Sequence, residues 1–280
     1  MQSIVQLEAN VAARPNSIEV NQVLADAYAK QGRWQEAAEV YRSLLALYPA
    51  TASLFVNRIR LGAVALAISS VLILSAQFLQ VSLKNTGSDS FEFATELASK
   101  EYFFAQLFIL IAFPFLSTAA ISIYKLLSYS RDHRPAFWAM VFSVIGIGLS
   151  MPSLGINAVV LPLIGRSYLD GEPGVLKLHQ SLQEYPWSLI LQSGSYLLLV
   201  GIVIFSWVIW RNRSFPKWAA SLFLTGWTLF VISTPSPSRL ELISAGVLIV
   251  LGGIELARSI WVQAPLQFAP IVVSPKKADS

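Results

Sequence analysis

The sequence predicts an all-α integral membrane protein, in which a short soluble arm of helical repeats precedes a transmembrane bundle of six helices (range five to seven). Three observations point there. Hydrophobic residues make up 55% of the 280 and charged residues only 13%, with a mean hydropathy of +0.58, whereas soluble domains carry about 25% charged residues. Five stretches, 61–83, 102–124, 135–165, 187–210 and 218–238, contain no Lys, Arg, Asp or Glu. Ahead of the first of them lies a polar segment, residues 1–57, of a different character.

Each charge-free stretch reaches the ~20 residues that a helix needs to cross a hydrocarbon core ~30 Å thick. Without water to satisfy backbone polar groups, such stretches must be helical, and their continuous apolar character excludes a barrel. The spans are expected near 60–83, 102–125, 136–158, 187–210, 217–235 and 240–261. In the third, Pro152, Gly155 and Pro162 interrupt the pattern, so a crossing followed by a re-entrant or interfacial segment over 153–165 is an alternative. In the sixth, the uncharged core 242–254 is short and gains its length from flanks containing Glu241 and Glu255. No basic patch and short apolar run stand at the extreme N-terminus, so the first span is expected to act as an uncleaved anchor. The segments are therefore an arm at 1–57, a membrane domain at 58–263 and a flexible tail, expected to be extended or disordered, at 264–280.

Cytoplasmic loops retain Lys and Arg. With six crossings and the N-terminus inside, fifteen of the 20 basic residues lie inside and five outside (Lys84, Lys100, Arg166, Lys177 and Arg239). Both termini are thus expected in the cytoplasm, and a prokaryotic inner membrane or its organelle equivalent suits the length and topology. The net charge of +4 is accounted for by these loops, so nucleic acid is not an expected partner; the lipid bilayer is. A short helix is also expected over 175–184, where Val175, Leu178 and Leu182 share a face on the outer surface.

In the arm, three short helices are read at about 3–13, 17–30 and 34–47, broken by ARPNS at 13–17 and QGR at 31–33. Pro15 and Pro49 stand 34 residues apart. Leu24, Ala25 and Tyr28 on one helix, Gly32 in the turn, Ala37, Tyr41 and Leu44 on the next and Pro49 at its close resemble the tetratricopeptide repeat. Small Ala25 and Ala37 let two antiparallel helices approach, and the larger side chains fill the space between them. Asn21 departs from the pattern, which usually places a large aromatic there. The resemblance covers residues 4–55 and implies a protein-docking module, with Arg33, Trp34 and Arg42 as exposed contacts, since Arg and Trp are favoured at binding hot spots. One and a half repeats are fewer than the three that make a solenoid stable alone. The stretch 51–61 is expected to run helically into the first span and to serve as a packing partner, and capping of the bundle or homo-oligomerisation is the alternative use of the arm.

Little in the membrane part suggests chemistry. There is no cysteine, and His133 and His179 fall on opposite sides of the bilayer in the derived topology, so no metal centre is expected. HExxH, GxSxG and Walker patterns are absent, and neither catalytic activity nor a cofactor is expected. Glu255 is the best candidate for an intramembrane carboxylate; Arg258, three residues on, shares its face and can pair with it. Gln77, Gln106, Gln192, Ser193 and Ser195 suit bonds between helices, and Gly146, Gly148, Gly194, Gly201, Gly252 and Gly253 suit close packing. The expected function is a membrane adaptor, scaffold or assembly factor whose arm docks a cytoplasmic protein. The alternative is a small transporter or channel built around Glu255.

Overall fold

The computed structural model describes residues 3–15, 17–33, 36–37, 39–40, 43, 49–81, 91–128, 132–172, 174–175, 186–212, 215–233 and 239–267. Every regular element among them is helical.

The arm opens with α1 (Ile4–Ala13) and α2 (Ile18–Lys30). Ser3 caps α1 by a reciprocal box: its hydroxyl accepts from the Gln6 amide at 3.3 Å, and the Gln6 side chain accepts from the Ser3 amide at 3.2 Å. At the end of α2, Gly32 adopts φ +77°, which lets the Arg33 amide donate back to the Tyr28 carbonyl at 2.9 Å and satisfies one of the carbonyls left over at a helix end. Of the expected helix at 34–47, residues 36, 37, 39, 40 and 43 are described and helical; its ends, Tyr41 and Leu44 lie outside the described residues.

Helix α3 (Pro49–Val81) runs 33 residues without interruption, so the stretch 51–61 does pass helically into the first apolar segment, Val56–Gln80. The expected boundary between residues 57 and 58 falls inside this helix. A short α4 (Phe91–Leu97) leads to α5 (Lys100–Leu127), which Ser99 caps by accepting from the Tyr102 amide at 3.1 Å. Then follow α6 (His133–Gly155), a π-helical turn at Ile156–Val160 and α7 (Leu161–Leu169). The chain closes with α8 (Pro186–Arg211), α9 (Lys217–Ser233) and α10 (Arg239–Gln267).

The third span differs from its expected form. No re-entrant segment forms over 153–165; α6, the π turn and α7 make one helical run, His133–Leu169, of 37 residues. The reason lies at Pro162, which has no N–H to give the Ala158 carbonyl and whose ring would crowd it. The widened turn precedes this proline, with the Leu161 amide donating five residues back to Ile156, so the chain continues instead of breaking. Rising ~1.5 Å per residue, the run is about 55 Å long, more than a bilayer core requires. Its excess, α7, packs on α4 through Leu97, Leu161 and Ile164, with Gly165 against the Ala94 backbone. Of the expected helix at 175–184, only Val175 is described.

Among the described residues, five helical segments are long and apolar enough to cross a membrane: Val56–Gln80, Lys100–Leu127, His133–Leu169, Gln192–Arg211 and Leu240–Ala264. The last includes the flanks that its short uncharged core needed. A sixth apolar segment, Lys217–Ile232, is shorter, and the 17 residues of α9 rise only about 26 Å. All six long helices nevertheless form a closed ring: α3 packs on α5, α5 on α6, α6 on α8, α8 on α9, α9 on α10 and α10 back on α3. At its centre is an apolar cavity of about 30 Å³, to which each helix contributes, with Leu66, Leu116, Ser143, Ile202, Phe223 and Leu256 among the lining residues.

Small residues bring the ring together. Along the α6–α8 seam, Ala139, Ser143, Gly146 and Ser150 face Gly194, Leu198 and Gly201, and a Cβ added at Gly194 would stand 2.8 Å from the Gly146 carbonyl. Gly226 and Gly252 do the same between α9 and α10, and Gly246 and Gly253 between α10 and α3. Gly148 borders open space and takes no part.

Candidate docking site and the charged end of the bundle

Among the described residues the arm's core consists of buried Leu7, Leu24, Tyr28 and Ala37, with Ile4, Val11, Ala27 and Val40 against them. Asn21, the departure from the repeat pattern, is buried, and its side-chain amide donates to the carbonyls of Pro15 (2.8 Å) and Ser17 (2.9 Å). It thereby fixes the turn between α1 and α2, a job that an aromatic could not do. The Tyr28 hydroxyl donates to Glu8 across the same interface. This bond to a carboxylate, with burial and the nearby negative charge, raises the Tyr28 pKa above the ordinary phenol value.

Of the three expected contact residues, Arg33 is described; Trp34 and Arg42 lie outside the described residues. Arg33 is exposed and ordered from two sides: its guanidinium lies 4.5 Å from the centre of the Tyr28 ring, and its Nε is 3.0 Å from Glu36. The Glu36 pKa is lowered, first by a hydrogen bond from its own backbone amide and then by Arg33; the Arg33 pKa is raised, chiefly by its bond to Glu36. The guanidinium keeps donors free for a partner's carboxylate or carbonyl. Val5 (73% exposed) and Val23 (50%) add apolar surface to α1 and α2.

In the bundle, Glu255 and Arg258 meet along α10 at 3.5 Å, the carboxylate 24% exposed and the guanidinium 74%. The pair is local, and the arginine reaches outward. Other contacts gather at the same end. Arg211, closing α8, lies 3.6 Å from Asp132, which precedes α6, and stacks on Trp207 at 4.9 Å. Trp210 donates to the Lys217 carbonyl at 3.0 Å and joins α8 to α9. Arg60 of α3 stacks on Trp261 of α10 at 4.8 Å. Arg211–Asp132, Trp210–Lys217 and Arg60–Trp261 each join different elements, so no spacing along the sequence signals them.

The predicted interhelical polar residues divide. Gln77 is fully buried against Gly246, and its amide has no hydrogen-bond partner among the described residues; Gln106 is buried; Gln192 and Ser193 are exposed. Trp138, Trp207, Trp210, Trp218 and Trp261 are each about half exposed, as anchors at a membrane interface are. Trp227, by contrast, is buried among Phe113, Phe223 and Phe230.

Compared with known proteins, residues 18–61 match the family model of the Tetratricopeptide repeat. The arm therefore carries a tetratricopeptide-repeat segment. The match starts with the first residue of α2 and ends at Leu61, within α3 and within the apolar segment that begins at Val56. No curated protein and no solved structure matches the chain.

Proposed function

We propose that the protein is an integral membrane adaptor, which docks a protein partner through its N-terminal repeat arm and holds that partner, or an assembly built on it, at the membrane. One observation carries this reading: the tetratricopeptide-repeat segment extends along α3 into an apolar segment long enough to cross a bilayer. Repeats of this kind present helical faces to other proteins, and here the face is covalently continuous with a membrane anchor. Arg33, ordered by Tyr28 and Glu36, is the described contact residue, and Trp34 and Arg42 complete the proposed set. On the distribution of basic residues, the arm and both termini face the cytoplasm. The transporter alternative rests on Glu255, whose pairing with Arg258 on its own helix supports a structural ion pair instead.

The test is purification of the tagged full-length protein in mild detergent beside a form lacking residues 1–48, which retains all of α3, with mass spectrometry of what accompanies each. A stoichiometric partner lost with the arm is the expected result. The same partners with both forms, or none with either, would overturn the reading.

A further inference from the structure

Three arginines at the charged end of the bundle lie against aromatic or acidic neighbours, and they are satisfied differently. Arg211 has Asp132, and Arg258 has Glu255. Arg60 has no carboxylate within salt-bridge distance among the described residues; it has the face of Trp261, and its Nε is buried without a hydrogen-bond acceptor. It also stands inside the apolar segment Val56–Gln80, as its fifth residue, while Trp261 stands near the end of Leu240–Ala264. The antiparallel register of α3 and α10, with Gly246 against Gln77, Gly253 against Ser70 and Trp261 against Arg60, sets both at one level. Half-exposed Trp207, Trp210, Trp218 and Trp261 stand at the same end of the bundle, as tryptophans at the headgroup level of a membrane do.

A guanidinium offers five donors in a planar fork and remains charged at every working pH. Desolvating part of it without a counter-charge is unfavourable. At the headgroup level the abundant acceptor with matching geometry is a phosphate oxygen, which arginine engages in bidentate fashion. Trp261 holds the guanidinium by its face, leaving the edge of the fork to the ligand. Arg258, one turn before Trp261 on the same face of α10, is three-quarters exposed and has its charge offset by Glu255.

We infer that the seam between α3 and α10 at Arg60 and Trp261 is a binding site for the phosphate of an anionic phospholipid. The site is independent of what the arm docks.

The test uses full-length protein, purified, delipidated and examined by native mass spectrometry after addition of phosphatidylglycerol or phosphatidylcholine. Wild type is expected to retain one phosphatidylglycerol in preference to phosphatidylcholine. Arg60→Gln should weaken that retention by about tenfold, as loss of a charge-assisted pair of bonds does. Trp261→Ala should weaken it less. Arg60→Lys should fall between, because it keeps the charge and loses the fork. Arg211→Gln, at the same end but paired with Asp132, should retain the lipid as wild type does. Equal retention of the two lipids, or an Arg60→Gln protein of unchanged elution and helicity that keeps phosphatidylglycerol as wild type does, would overturn the proposal. So would full displacement by millimolar inorganic phosphate, which would make the ligand a free anion. If Arg60→Gln fails to fold, Arg60→Lys and Trp261→Ala decide, and wild-type retention by both would also overturn it.

Discussion

Single side chains bear on how firmly the arm holds together, because few of the described residues form its core. Asn21→Ala removes the side-chain donor to the Pro15 carbonyl and one of the two donors to the Ser17 carbonyl, which keeps the Asn21 backbone amide at 3.1 Å, and the loss of such bonds costs about 1 kcal/mol. Hydrogen exchange of the α2 amides should accelerate accordingly, and unchanged protection would refute the tie. Tyr28→Phe removes the bond to Glu8. Since folding raises the Tyr28 pKa, the stabilisation is present below the ordinary phenol range, near pH 10, and is lost as pH rises through the higher folded value. Phenolate absorbance of wild type minus Tyr28→Phe should therefore show Tyr28 titrating above the ordinary range. The sequence showed which residues fill the arm, since Leu24, Ala25, Tyr28 and Ala37 keep the spacing of a repeat. It marked Asn21 only as an exception, because that residue's partners are backbone carbonyls and no side-chain type signals them. Nor could Glu8 be assigned to Tyr28, which lies twenty residues away and on another helix.

Helices and seams show where one-dimensional reading loses a direction. Gly146 and Gly148 both count as small residues, yet two positions turn a helix by about 200° and put them on opposite faces. A Cβ at Gly146 would collide with the Leu198 backbone; at Gly148 it meets nothing within 4 Å. Gly146→Ala should destabilise the bundle by about 1–3 kcal/mol, as overpacking does. Gly148→Ala should be neutral or mildly stabilising, because alanine is the better helix former. Thermal unfolding in detergent, followed by the loss of monodisperse elution, compares them; equal midpoints would refute this account of the α6–α8 seam. The same loss of direction explains the third span. Pro152, Gly155 and Pro162 look like a break on a list of helix formers, but one π turn absorbs the missing donor at Pro162 while the helix keeps its course.

For the molecule as a whole, hydropathy revealed the spans but not their neighbours. Five segments meet the length of a crossing, and α9, though shorter, closes the ring between α8 and α10. That order of packing depends on which faces carry glycine and serine, and an apolar average erases it. Membrane orientation is testable because the chain has no native cysteine. Arg134 and Glu172 are both exposed and lie at the two ends of the long helical run from His133 to Leu169. In sealed cells, Glu172→Cys should react with an impermeant maleimide directly and Arg134→Cys only after permeabilisation. The reverse pattern would invert the topology and place the arm outside.

An unbroken helix has no joint. From Pro49 to Val81, α3 spans about 50 Å of stiff rod, and its apolar part is gripped by α5 on one side and α10 on another. Force applied at the Pro49 end of α3 meets no joint before the first apolar segment. It arrives in the bilayer as a tilt or rotation of the first span and of the two helices that grip it. α3 thus couples its outer end stiffly to the first apolar segment, and two glycines inserted near Asn57 would turn the rod into a swivel.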